Sequence, residues 1–166
     1  QFERTVHYHM SDIDTYFYVY QLAKNSDFSL DEFWKNKMES LFLTLVKIAY
    51  PDKSAPVLSD DTDIPWAEKN DIRGALTLGY ILFQQEEMGY FANTKVEPWM
   101  YWFLGESQLN SLQNIQEKQP TYKSLSFPKT GYYVQREGWS EEDKMMIISA
   151  GLDDKKPDHQ HGDMLG

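Results

Sequence analysis

All four histidines of the chain fall in two H-x-H triplets, His7-Tyr8-His9 and His159-Gln160-His161, one near each end. Neutral imidazole is a common metal ligand and the usual acid or base near neutral pH. The same spacing means different things in different elements. In a strand, residues i and i+2 share a face, so His159 and His161 would stand side by side. Asp163, another i+2 position, could then orient an imidazole. Such a pair can put one histidine on a metal and the other toward a substrate; the plainer reading is a solvated H-x-H in an exposed loop. In a helix, i and i+2 lie about 200° apart, so His7 and His9 cannot chelate one ion. Tyr8 between them points to its own face, with Asp12 one turn on. A tyrosine at a helix start can transfer a proton if nearby positive charge lowers its pKa from ~10. The alternative is a core aromatic with a tethered hydroxyl.

Other chemistry-bearing patterns are missing. The chain has no P-loop, GxGxxG, GxSxG or HExxH motif. Without cysteine it has no disulfides and no thiolate metal site. The Asp60-Asp61-Thr62-Asp63 run lacks EF-hand spacing and reads as a solvated loop rather than a Ca²⁺ site. Trp99, Tyr101 and Trp102 read as core packing, with a sugar-stacking platform as the alternative.

The elements that must position these residues are helical first and extended last. Residues 4–24 read as a helix with Ile13, Phe17 and Tyr20, and Met10 with them, on one face. After a turn at Asn25-Ser26-Asp27, Ser29 and Glu32 suggest a capping box. Behind it Phe33, Trp34, Met38, Leu41, Phe42, Leu45, Val46 and Ala49 keep 3/4 spacing to Tyr50, where Pro51 stops the helix. Residues 51–66 read as a Pro- and Asp-rich loop. A third helix is expected over about Lys69 to Phe83, and a short aromatic one over Pro98 to Leu104. Residues 105–126 read as a linker or a poorly packed helix. Residues 131–139 and 144–151 then read as strands about the charged turn 140–143. Two or three strands make no stable sheet alone, and the abrupt start lacks an initiator Met and a signal peptide. The expectation is a segment of a larger protein.

Composition excludes several classes. Apolar residues make up 41% and aromatics 15% of 166 residues, which calls for a packed core rather than a disordered chain. No apolar run nears the ~18 residues that span a bilayer; LFLTLVKIAY (41–50) is interrupted by Lys47. A net charge of −10 argues against generic nucleic-acid binding. A polyanionic substrate is still compatible, because a local basic or metal-bearing cleft acts within a Debye length of ~8 Å.

Three pieces, in order, are similar to the heparinase II/III-like polysaccharide lyases. QFERTVHYHM (1–10) resembles the family's QFE…YH segment. GYYVQREGW (131–139) resembles the aromatic-x-x-R-x-G-W strand that opens its β-sandwich. DHQHGDMLG (158–166) resembles its H-x-H-x-D element. The resemblance implies an α+β multidomain segment, the C-terminal part of an incomplete (α/α) toroid followed by the first antiparallel strands of a β-sandwich. Toroid helices would occupy 1–105, a linker 106–126, and the start of the sandwich 127–166. It further implies β-elimination on an anionic polysaccharide such as heparin, heparan sulfate or alginate. In that scheme Tyr8 is base, acid or both; His159 neutralises the uronate carboxylate or acts as base; and His9 contacts substrate. Arg136 contacts an anionic group or pairs with the acidic turn. His161 matches a ligand of a structural zinc whose other ligands lie beyond Gly166. A periplasmic or secreted setting is implied by the family alone. Two rivals are a non-catalytic carbohydrate-binding protein of the same fold and a metal-dependent glycan hydrolase using His159 and His161.

Overall fold

The computed structural model describes residues 5–58, 61, 69–93, 98–150 and 164–165. The fold is mixed α+β: helices with small antiparallel sheets. It divides into two compact units. A helical unit holds residues 11–46 and 73–119; a sheet unit holds the chain up to Met10, residues 47–72, and the chain from Pro120 onward.

The helices α1 (Val6–Asn25) and α2 (Glu32–Ile48), which lie mostly in the helical unit, form close to where apolar spacing places them. The buried stripe of α1 runs Ile13, Phe17, Gln21. Tyr20, expected in that stripe, is only half-buried, stacked on Trp34. The start of α2 differs from the capping-box expectation. Asp31 is the cap, accepting from Trp34 N at 2.7 Å, and the helix begins beyond Ser29. A carboxylate at this position takes an orphan N–H and also meets the positive end of the helix dipole. From α2 the core takes Met38, Phe42, Leu45 and Val46, while Phe33 faces solvent under Lys37. Burying one such aliphatic side chain contributes about 1.5–3 kcal/mol.

The third helix is shorter than its sequence expectation. Lys69–Asp71 form strand β2, and α3 (Arg73–Phe83) begins after Ile72. Pairing with β1 (Ser54–Pro56) overrides the helical spacing there, with Ala55 opposite Asn70. At the other end Gln84, at φ 53°, breaks α3. It is followed by α4 (Glu86–Phe91), which the apolar pattern did not show. Close packing explains two glycines. A Cβ at Gly79 would lie 2.6 Å from the Phe42 ring and 2.8 Å from the Met88 sulfur. One at Gly89 would overlap the Gln116 carbonyl oxygen.

Pro98–Trp102 form a 3-10 helix, and α5 (Glu106–Ser111) follows with a further 3-10 turn at Leu112–Asn114. The start of this stretch is packed, with Gln108 and Leu112 buried. Gln21 and Gln108, both buried, exchange amide hydrogen bonds at 3.0 and 3.1 Å. Gln21 Nε2 also donates to the Phe103 carbonyl at 2.8 Å. Inside an apolar core such amides must be satisfied, so the pair fixes the register of α1 against α5.

In the sheet unit, β3 (Leu125–Phe127), β4 (Tyr132–Arg136), β5 (Met145–Ser149) and β6 (Met164–Leu165) form an antiparallel sheet in that order. Strand β4 alternates, with Tyr132, Val134 and Arg136 inward. Gly131, at φ 82°, supplies the left-handed residue of the turn before it.

Candidate active site

The first turn of α1 carries the N-terminal triplet, and all its backbone donors are used. An α-helix leaves its first four N–H groups without intrahelical acceptors. Val6 N and His7 N donate to the Asp61 carboxylate, at 3.3 Å to Oδ2 and 2.9 Å to Oδ1. Tyr8 N donates to Thr5 Oγ1 at 3.1 Å, and His9 N to the Thr5 carbonyl at 3.2 Å. Thr5 is thus a local N-cap, and Asp61 is a second, remote one that places negative charge at the positive helix end. Asp61 is itself held: Leu58 N donates to Oδ2 at 3.2 Å and Asn70 Nδ2 at 3.0 Å. Asn70 Nδ2 also donates to the Pro56 carbonyl at 3.0 Å, which ties the group to the β1–β2 pair. The expectation of a solvated Asp run is corrected here for Asp61. It is a helix cap, and the helix donors it accepts from lie about 55 residues away in sequence.

On this turn Tyr8 is 38% exposed, and the His7 ring meets it edge-on at 5.3 Å between centroids. His7 and His9 are half-buried. The helical conformation splays the two histidines, as their spacing requires. Among the described residues no three His, Cys, Asp or Glu side chains gather closely enough to hold a metal ion. The second triplet, with His159 and His161, and Asp163 lie outside the described residues.

Arg136 is 6% exposed. Its Nη2 donates to the carbonyls of Lys47 at 3.0 Å and Ala49 at 2.8 Å, at the C-terminal end of α2. The guanidinium lies 3.8 Å from the Trp139 ring centroid, and the Trp139 indole N–H donates to the Tyr122 carbonyl at 2.9 Å. Burial pushes the Arg136 pKa down to about 10, which leaves it charged at neutral pH. A cation on terminal helix carbonyls complements the dipole. So placed, Arg136 holds backbone together and presents little surface to a polymer. Its Nε and Nη1 have no hydrogen-bond partner among the described residues.

The sheet unit also has an open cavity of about 240 Å³ between Tyr50, Asp52, Lys69, Glu141, Asp143 and Met145. Lys69 is bonded to Asp52 and sits over the Tyr50 ring. Burial pushes the Asp52 carboxyl up, but hydrogen bonds from Lys69 and Ser54 and the charge of Lys69 outweigh it and hold the group below its usual value. Burial pushes the Tyr50 phenol up. Three carboxylates around one lysine disfavour a polyanion here.

In the helical unit, the aromatic run at 98–104 departs from the core expectation. Met100 is buried, but Tyr101 is 62% and Trp102 87% exposed. A 3-10 helix repeats every three residues, so only part of the run can face inward. Trp99 stays half-buried against Tyr18 and Phe17.

The sequence profile of the heparinase II/III N-terminus matches residues 1–91, more than half of the chain. The chain belongs to the heparinase II/III family. The match includes α1 with its capped first turn, as well as Asp61 and Asn70. A heparin-sulfate lyase of Pedobacter heparinus is 23% identical over 154 residues, covering 90% of this chain and 20% of that protein. Two solved structures share the fold. A mutant of the Pedobacter heparinus heparan sulfate lyase HepC aligns with TM-score 0.67 and 23% identity over 99% of this chain and 23% of that one. A heparinase III gene product aligns with TM-score 0.64 and 22% identity over 91% of this chain and 21% of that one. This heparinase II/III chain spans about a fifth of the length of the relatives it matches. Sequence reasoning missed Asp61 and Asn70 as supports of the Tyr8 turn. Thr5, three residues before Tyr8, was the readable half of the cap; nothing local marks the remote half.

Proposed function

We propose that the protein containing this chain is a polysaccharide lyase that cleaves uronic-acid-containing glycans by β-elimination, with Tyr8 as the proton-transfer group. The observation that carries this reading is the exposed Tyr8 side chain on a first helical turn whose four N–H groups are all bound, within the segment matched by the family. The C5 proton of a uronate is weakly acidic, and its removal builds charge on an already anionic carboxylate. A site must neutralise that charge, take the C5 proton, and protonate the 4-oxygen as it leaves. Electrons of the C5–H bond become the C4=C5 double bond, and the C4–O bond breaks. A tyrosine can do both proton steps in turn: as phenolate it accepts from C5, and as phenol it donates to O4. His9, on the same turn, serves substrate binding. His159 assists at the carboxylate or as base.

The same reading takes the helices as part of an (α/α) toroid over 1–105 and the strands from 127 as the start of a β-sandwich, joined through 106–126. The substrate is heparin- or heparan-sulfate-like, or alginate-like, and the setting periplasmic or secreted. His161 is a proposed ligand of structural zinc. A single imidazole does not make a tetrahedral site, and the described residues supply no cluster to complete one, so no step is assigned to metal.

The test is ultraviolet absorbance of the 4,5-unsaturated product, with the full-length protein offered heparin, heparan sulfate, hyaluronan and alginate. A rise on one glycan is expected. Tyr8→Phe should lower turnover at least about 100-fold, the scale of a lost acid–base group, while leaving glycan binding in place. Cleavage without unsaturated product would mean hydrolysis. Binding without any cleavage would mean a carbohydrate-binding protein.

A further inference from the structure

We infer that Asp61, oriented by Asn70, is a positioning residue for Tyr8; this rests on the reading of Tyr8 as the proton-transfer group. The Thr5 cap is local: its hydroxyl accepts from Tyr8 N and its carbonyl from His9 N. These bonds tie the turn to the residue just before it. The carboxylate of Asp61 grips the two preceding donors, Val6 N and His7 N, one with each oxygen. A two-point contact from a planar carboxylate restricts rotation as well as distance. Two further donors, Leu58 N and Asn70 Nδ2, converge on Oδ2 and keep the carboxylate from turning. Asn70 is buried, and it is anchored to the Pro56 carbonyl across the β1–β2 pair. The first turn of α1 is thereby referred to a short sheet rather than left to fray, as helix ends otherwise do.

Proton transfer needs that reference, because a displacement of about 1 Å in a catalytic group can cost about 100-fold in rate. Tyr8 follows directly on His7, so rotation of the His7 peptide would swing the phenol by the full length of its side chain. Asp61 touches neither substrate nor phenol in this scheme. Its effect passes through the backbone.

The experiment compares Asp61→Ala and Asp61→Asn in the full-length protein, with kcat, KM and thermal midpoint measured on the glycan that the parent cleaves. Asp61→Ala should lower kcat about 10- to 100-fold with KM within about twofold, at a temperature where the variant is fully folded. Asp61→Asn keeps one oxygen acceptor and a planar head group, so its kcat should fall between that of the parent and that of Asp61→Ala, at least about threefold below the parent. It also remains testable if Asp61→Ala fails to fold. Normal kcat in a folded Asp61→Ala or Asp61→Asn protein with a lowered midpoint would make the residue a stability cap only and overturn the inference. A rise in KM with kcat unchanged would overturn it too, by moving Asp61 to substrate binding. Failure of the underlying reading has a different signature: Tyr8→Phe would turn over normally whatever Asp61 does.

Discussion

The two units hold their helices by opposite means. In the sheet unit the contacts are ionic and fall on helix ends: the Asp61 carboxylate on the N-terminus of α1, the Arg136 guanidinium on the C-terminal carbonyls of α2. In the helical unit the buried contacts are neutral and fall mid-helix, the reciprocal Gln21–Gln108 amides and glycines that admit a ring or a carbonyl, and its charged cap, Asp31, is exposed. A neutral amide pair satisfies its own donors and acceptors and adds little field. A buried charge at a helix end orients the turn beside it strongly, because low dielectric amplifies its hydrogen bonds, but removing it leaves its partners stranded. The unit that carries the proposed proton-transfer residue is the one held by charge.

Three measurements press on that contrast. The largest effect is expected from Arg136→Met in the sheet unit. Two hydrogen bonds from a charged donor and the stacking on Trp139 are lost, so urea unfolding of the full-length protein should show a loss of about 3 kcal/mol. An unchanged midpoint would remove the ionic half of the comparison. Gln21→Leu comes next. It strands the Gln108 amide nitrogen and takes one of two donors from the Phe103 carbonyl, the other being Asn25 Nδ2, at about 1–3 kcal/mol, and the loss should be the same at low and high salt. A strongly salt-dependent loss would mean the helical unit is ionic after all. The smallest effect is Asp52→Asn, at under about 1 kcal/mol for an exposed ion pair. Its sign is set by a carboxyl whose pKa is lowered on folding. The wild-type contribution is present above the ordinary value of 3.8 and disappears as pH falls through the lower folded value. The variant should therefore lose less stability than the parent between pH 4 and the acid limit, where a steeper acid limb would reverse the assignment.

How much of this was readable from residues depends on range. Elements with strong local spacing were legible: α1, α2, the body of α3, and β4 and β5 about their charged turn. Local spacing misled where a distant partner decides. Lys69–Asp71 continue a helical pattern, yet they pair with Ser54–Pro56 and become a strand. Gln21 sits on an apolar stripe because Gln108, 87 residues on, matches it. The proposed site divides in the same way. His7, Tyr8, His9 and the cap Thr5 are adjacent in sequence and could be seen together. Asp61 looked like one member of an acidic loop, because its donors come from the far end of a helix with which it shares no pattern. Tyr101 and Trp102 were drawn into the core by hydrophobicity alone, and the three-residue repeat of their helix turned them outward.

The contrast between Trp139 and Trp102 has an optical consequence. Trp139 has its ring covered by a guanidinium and its indole N–H bound to a carbonyl, whereas Trp102 is 87% exposed. A dissolved quencher such as acrylamide collides with the second ring and is kept from the first. Emission of Trp102 is thus expected to yield to the quencher and that of Trp139 to resist it, so variants that keep one of these two tryptophans alone would follow the helical and the sheet unit in separate titrations without any label.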